Sequence, residues 1–211
     1  MKTDLLLWES LSKHKLRYLP TAYFTVQWVL YNYSDYGEGI MENNLPLEIE
    51  RKYLIKMPDI SMLEQQPVYM KIEMEQAYLK DSGETAGMRI RKSTLNGKTT
   101  YKKTFKKNIT NITRIEIEDD ISEQVWFELL KEVDPESTPI KKVRHCFMYK
   151  SQLFELDIYP FWSDRATLEL EINSEDQQIT LPPFIDIIKE VTEDKRYSNR
   201  SLSYSILTEE I

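Results

Sequence analysis

The sequence predicts a mainly β protein, an antiparallel β-barrel or strongly curved sheet of about eight strands with a few peripheral helices. Three observations carry this reading. Apolar and polar residues alternate with period two over many short runs, as in strands with one buried face. The dipeptide Asn96-Gly97 lies between two such runs and is the strongest short hairpin signal in the chain. Few segments carry a helical repeat.

Taken in order, residues 1–40 read as an N-terminal extension, LLLW followed by an aromatic-rich run from Tyr23 to Tyr36 with neither period clean. The genetic code offers a second reading. Gly37, Glu38 and Gly39 can be encoded by GGN-GAG-GGN, a purine-rich ribosome-binding sequence just before Met41, which makes Met41 the natural start and 41–211 the domain. LEIERKYLI, 47–55, is the first strand. Asp59 caps a short helix through Gln65, stopped by Pro67. Strands follow at 68–79, 88–93, 99–106 and 112–118. The segment 122–133 is helical, with Val125, Trp126, Leu129 and Leu130 on one stripe. Strands return at 141–149, 153–159 and 167–172, and Pro182-Pro183 introduces a short helix near 184–189.

The 211 residues, 41% apolar and 11% aromatic, suffice for one sizeable core. A net charge of −7 leaves no broad basic surface for nucleic acid, so any anion must be held locally. One cysteine, Cys146, excludes an internal disulfide, and two histidines are too few for a histidine-based metal site. Cys146 reads as a buried packing thiol. There is no apolar run of about 18 residues to span a membrane and no secretory h-region. A cytoplasmic protein is expected.

The polar phase of the strands is almost entirely ionised. Glu48, Glu50 and Lys52 are two apart, as are Arg89 and Arg91; Lys102, Thr104 and Lys106; Arg114, Glu116 and Glu118; Lys142 and Arg144; Glu155 and Asp157; Glu169 and Glu171. Period two sends each set to one face of its strand. A two-residue Asn96-Gly97 loop pairs Leu95 with Lys98, which sets Arg91 opposite Lys102 and Arg89 opposite Thr104. Like charges directly opposed are destabilising, which makes sense where a polyanion is to lie. Any even-length loop near Lys150–Gln152 puts Lys142 and Arg144 on the face of Glu155 and Asp157. A solvated sheet face would also alternate, but such faces usually mix in Thr, Ser, Gln and Asn. In a barrel whose apolar face is covered by helices, the charged face becomes the lumen. Paired carboxylates are hard oxygen ligands suited to Mg²⁺ or Mn²⁺, and inward arginine and lysine hold phosphate oxygens.

These residues resemble the CYTH domain, the fold of the triphosphate tunnel metalloenzymes. Glu48, Glu50 and Lys52 are similar to its ExExK signature, and the likeness continues through IEMEQAYL, MRIRK, RIEIE, KVR, FELDIY, LELEI and a closing EVTEDKRYSN. The resemblance implies an eight-stranded antiparallel tunnel that takes a triphosphate-containing substrate with a divalent metal. It makes Glu48, Glu50, Glu169 and Glu171 metal ligands, with Asp157 added to that set. Glu48, Glu50 and Lys52 become the catalytic group. Lys52, Arg89, Arg91, Lys102, Lys106, Lys142 and Arg144 become phosphate grips, Lys102 and Lys106 being preferred to Lys103 by their spacing. Arg196 helps close one mouth, and Glu116 and Glu118 are further tunnel residues. The activity implied is hydrolysis of inorganic tripolyphosphate or of a nucleoside or thiamine triphosphate, with Mg²⁺ or Mn²⁺. A class IV-type adenylate cyclase and a non-catalytic polyphosphate, nucleotide or phospholipid head-group binding module use the same lumen. The stretch CFMYKSQLFELDIYPFW resembles CYTH domains attached to an AAA-type P-loop NTPase, which suggests such a partner. Gly97-Lys98-Thr99 is not itself a P-loop, since it lacks a glycine five residues earlier and sits in a hairpin.

Overall fold

The computed structural model describes residues 47–81, 87–110 and 113–211. The reading of residues 1–40, with its start at Met41, lies outside the described residues.

Among the described residues nine strands run β1 (Leu47–Lys56), β2 (Tyr69–Tyr78), β3 (Met88–Leu95), β4 (Lys98–Asn108), β5 (Thr113–Ile121), β6 (Ile140–Tyr149), β7 (Gln152–Ile158), β8 (Arg165–Ile172) and β9 (Ile187–Glu190). Helices α1 (Ile60–Glu64), α2 (Glu123–Leu129) and α3 (Asn199–Tyr204) are short. The strands form one sheet in the order β5-β4-β3-β2-β6-β7-β8-β1-β9, and a β1–β5 pairing closes its first eight into an antiparallel barrel. Both neighbours share one edge of β1. Leu47–Ile49 pair with β5, while Tyr53–Ile55 pair with β9.

The short hairpins set the register. Asn96 and Gly97 both have positive φ, 50° and 78°, the geometry of a two-residue loop whose twist matches that of the strands. Leu95 therefore pairs with Lys98, Arg91 with Lys102 and Arg89 with Thr104, as the spacing predicts. Lys150 and Ser151, also at positive φ, form the equivalent loop between β6 and β7 and pair Arg144 with Asp157.

The apolar phase faces outward and is covered, which is why the ionised phase can face the lumen. Tyr53, Ile55, Phe147, Phe154, Leu156, Leu168 and Leu170 pack under Leu63 of α1 and Ile185. Ala77, Leu79 and Ile90 pack under Trp126 of α2. Asp59 caps α1 by accepting from the Ser61 N–H, and Ser122 caps α2 by accepting from Val125 N–H.

Two helical expectations need correction. In α2 only Trp126 is buried, and Val125 is 42% exposed. The chain passes into a 3₁₀ turn at Leu130–Glu132, and Leu129 and Leu130 are only partly buried at the margin of the cluster. The segment expected as helix at 184–189 instead yields β9, because Ile187–Glu190 complete the hydrogen bonds that β5 leaves open on β1.

Candidate active site

The pleat brings Glu48, Glu50 and Lys52 of β1 onto the face of Glu169 and Glu171 of β8, with Glu50 paired to Glu171 and Lys52 to Glu169. The same face continues through Glu155 and Asp157, then Lys142 and Arg144. On the other side of β1 it runs through Arg114, Glu116 and Glu118 to Lys106, Thr104 and Lys102, and on to Arg89 and Arg91. Lys103 pairs with Ile90 on the opposite phase, whereas Lys102 and Lys106 lie on the lumen phase. On β2 the lumen phase is uncharged: Ile72, Met74, Gln76 and Tyr78 align with Arg144, Lys142, Arg91 and Arg89.

The charges are organised as chains of ion pairs. At the most enclosed point, Asp157, fully buried, accepts from Lys142 and twice from Arg144, at 2.7 Å in both latter bonds. Arg144 also reaches Glu155, and Glu169 at 2.9 Å. Lys52 donates to Glu169 at 2.7 Å. Nearer solvent, Arg114 bridges Glu48 at 2.6 Å and Glu50 at 2.5 Å, and Lys106 joins Glu116 to Glu48. Arg91 and Lys102 share Glu118, and Arg89 lies 3.9 Å from Glu116.

This arrangement shifts protonation strongly. Burial would raise Glu48, but Lys106 and Arg114 hold its carboxyl well below the usual range. Glu50, desolvated and beside the negative charges of Glu169 and Glu48, is pushed up to about 7 against the pull of Arg114. Glu169 resists desolvation through Lys52, Arg144 and Lys142 and stays low. Burial and the like charge of Arg144 push Lys142 down to about 8 against the pull of Asp157 and Glu169. Burial pushes the Cys146 thiol up, as befits a packing residue.

One end of the lumen is covered. The lumen-phase position after Lys52 is Leu54, buried with Ile140, Tyr159, Trp162, Val191, Tyr197 and Leu202. The Tyr159 hydroxyl donates to Asn199 Oδ1 at 2.8 Å. The closing motif thus contributes Val191, Tyr197 and Asn199 to this cover, and Leu202 of α3 follows just beyond it. Arg196 stands apart from the lumen group, exposed and paired with Asp194 and Glu209.

Reasoning from sequence named Arg114 in the alternation but gave it no role, although it links the two acids of β1. Its period-two place in RIEIE was the available signal. Gln76 and Tyr78 were missed because they carry no charge to mark them.

Among the described residues no three histidine, cysteine or acidic groups converge as a ready metal cage. The donor chemistry nevertheless fits a hard divalent cation. Glu48, Glu50, Glu169 and Glu171 offer only carboxylate oxygens, and burial together with the charges of Glu169 and Glu48 raises Glu50, whose ionised form a bound cation would favour.

Fold and site together define a closed β-tunnel lined by ion-paired acids and bases. The sequence model of the CYTH domain matches residues 46–201. The inorganic triphosphatase of Nitrosomonas europaea is 33% identical over 164 residues, which span 75% of this chain and 98% of the relative. The chain belongs to the CYTH domain family. Among solved structures, a crystal structure of an inorganic triphosphatase is 28% identical over 81% of this chain and 99% of its own, with a TM-score of 0.47. An adenylyl cyclase homologue from Hippeastrum, described as having dominant triphosphatase activity, is 15% identical over 60% of this chain and 80% of its own, with a TM-score of 0.40. No helix among the described residues is long and apolar enough to cross a membrane.

Proposed function

We propose that this chain is a divalent-metal-dependent triphosphatase that removes the terminal phosphoryl group of inorganic tripolyphosphate or of a nucleoside or thiamine triphosphate. The observation that carries the reading is one enclosed lumen phase that collects four carboxylates of two paired strands together with arginines and lysines of the others. Glu48 and Glu50, with Glu169 and Glu171, lie on the paired strands β1 and β8. Arg89 and Arg91 lie on β3, four strands away from β8 in the ring of eight. The named activity of the Nitrosomonas relative agrees with it.

Glu48, Glu50, Glu169 and Glu171 would hold Mg²⁺ or Mn²⁺, whose role when bound is to withdraw charge from phosphate oxygens and activate water. The residues of the chain supply position and countercharge. Arg89, Arg91 and Arg144 present planar donors to phosphate oxygens, and Lys102 and Lys106 add point charges toward the more exposed side. Lys52, fixed by Glu169, stands between the acids and the bases, where it can follow charge developing on the transferred group. Asp157, saturated by Lys142 and Arg144, orients those two cations. Such preorganisation accounts for most of phosphoryl-transfer catalysis.

The test is product analysis with tripolyphosphate, ATP, GTP and thiamine triphosphate in Mg²⁺ and in Mn²⁺. Orthophosphate release is expected. Cyclic AMP with pyrophosphate from ATP would turn the reading to a cyclase, saturable binding without turnover to a binding module, and no saturable binding of tripolyphosphate would refute it.

A further inference from the structure

The lumen wall contributed by β2 carries one polar group that the ion-pair chains leave unexplained. Gln76 is 1% exposed, on the lumen phase opposite Arg91. Its Nε2 donates to the Tyr78 hydroxyl at 2.9 Å, while its Oε1 has no partner. Arg89 pairs with Tyr78 across β2 and β3 and places its charge near the same hydroxyl. A phenol oxygen that accepts still has one proton of its own to give. A buried amide oxygen without a donor, next to a hydroxyl whose proton is unspent, is a costly arrangement.

Turning the amide by half a revolution about its last torsion lets Tyr78 donate to Gln76 Oε1 and moves the deficit to the amide N–H₂. The two N–H bonds of Gln76 then lie without an acceptor on the lumen phase opposite Arg91. The donors run in one direction, from the Tyr78 hydroxyl to a neutral N–H₂ group in the lumen. The group that satisfies it is an oxyanion. A metal ion or an ammonium group would need Oε1 instead, and would restore the deficit at Tyr78.

We propose that Gln76 is a substrate-binding residue, whose amide N–H₂, oriented by Tyr78, donates to a phosphoryl oxygen of the polyphosphate beside Arg91. The assignment rests on the triphosphatase reading of the same lumen. It adds a neutral donor to the cationic grips, where a ninth positive charge would meet Arg89 and Arg91 at close quarters.

Titration calorimetry of the full chain with tripolyphosphate tests it, with thermal melting as the control for folding. A hydrogen bond to a charged group predicts that Gln76→Met weakens binding about 10- to 100-fold. Gln76→Glu, of the same size but able only to accept, is expected to lose more, and Tyr78→Phe, which only releases the amide, to lose less. Gln76→Met or Gln76→Glu binding as tightly as the unaltered chain would overturn the assignment and leave the triphosphatase reading standing. Should Gln76→Met fail to fold, Tyr78→Phe and Gln76→Glu decide by the same criterion. Absence of binding by the unaltered chain would overturn both.

Discussion

Replacing Asp157 by asparagine isolates the most enclosed charge in the barrel. Asp157 is fully buried and answers two cations, but these are not equally dependent on it. Arg144 keeps Glu155 and Glu169, whereas Lys142, whose side chain is 2% exposed, has Asp157 as its sole ion-pair partner among the described residues. The variant therefore strands one buried ammonium. Breaking a buried pair in this way costs about 3–5 kcal/mol. Lys142 can cap the penalty by shedding its proton, since neutralising an ordinary lysine at pH 7 costs about 4.6 kcal/mol. For a domain of this size each kcal/mol moves Tm by about 2–4 °C, so a fall of about 6–20 °C is expected in a calorimetric melt at pH 7. Adding Lys142→Met to the variant removes the stranded charge and should recover at least half of the loss. A single variant melting within about 2 °C of the unaltered chain, or a double variant melting lower still, would refute the reasoning.

Further expectations concern the reaction and the faces of the barrel. Glu50→Gln should lower phosphate release from tripolyphosphate by about 100-fold or more with an unchanged melt, because it removes a preorganised charge without a change of shape. Chelation by EDTA should abolish turnover, with recovery on adding Mg²⁺ or Mn²⁺; full activity in excess chelator would contradict the metal role. Lys102→Gln should reduce kcat/KM about 10-fold, whereas Lys103→Gln, on the opposite phase, should leave it within about twofold. Cys146 should be inert to a thiol reagent in the folded chain and react on denaturation, since its thiol is buried and pushed up.

Much of the lumen was legible from sequence because strand periodicity and hairpin parity are local. Two residues of loop at Asn96-Gly97 suffice to oppose Arg91 and Lys102, and the two at Lys150-Ser151 oppose Arg144 and Asp157. The ionised phase of each strand could be written down from spacing alone, and the acids of β1 and β8 recognised as a pair by their composition.

Other features depend on which strands become neighbours. Closure of β1 onto β5 sets Glu48 against Arg114, whose guanidinium then bridges Glu48 and Glu50. The unused half of the β1 edge makes a strand of Ile187–Glu190. The burial of Leu54 and Tyr159 under Tyr197 and Leu202 covers one end of the lumen. The sequence by itself determined the faces, the hairpin registers and the charge of the lumen, since these need only φ, ψ and loop length. The tertiary structure alone decided who compensates each charge, because electrostatic partnership follows distance across non-local strands and the water their packing excludes.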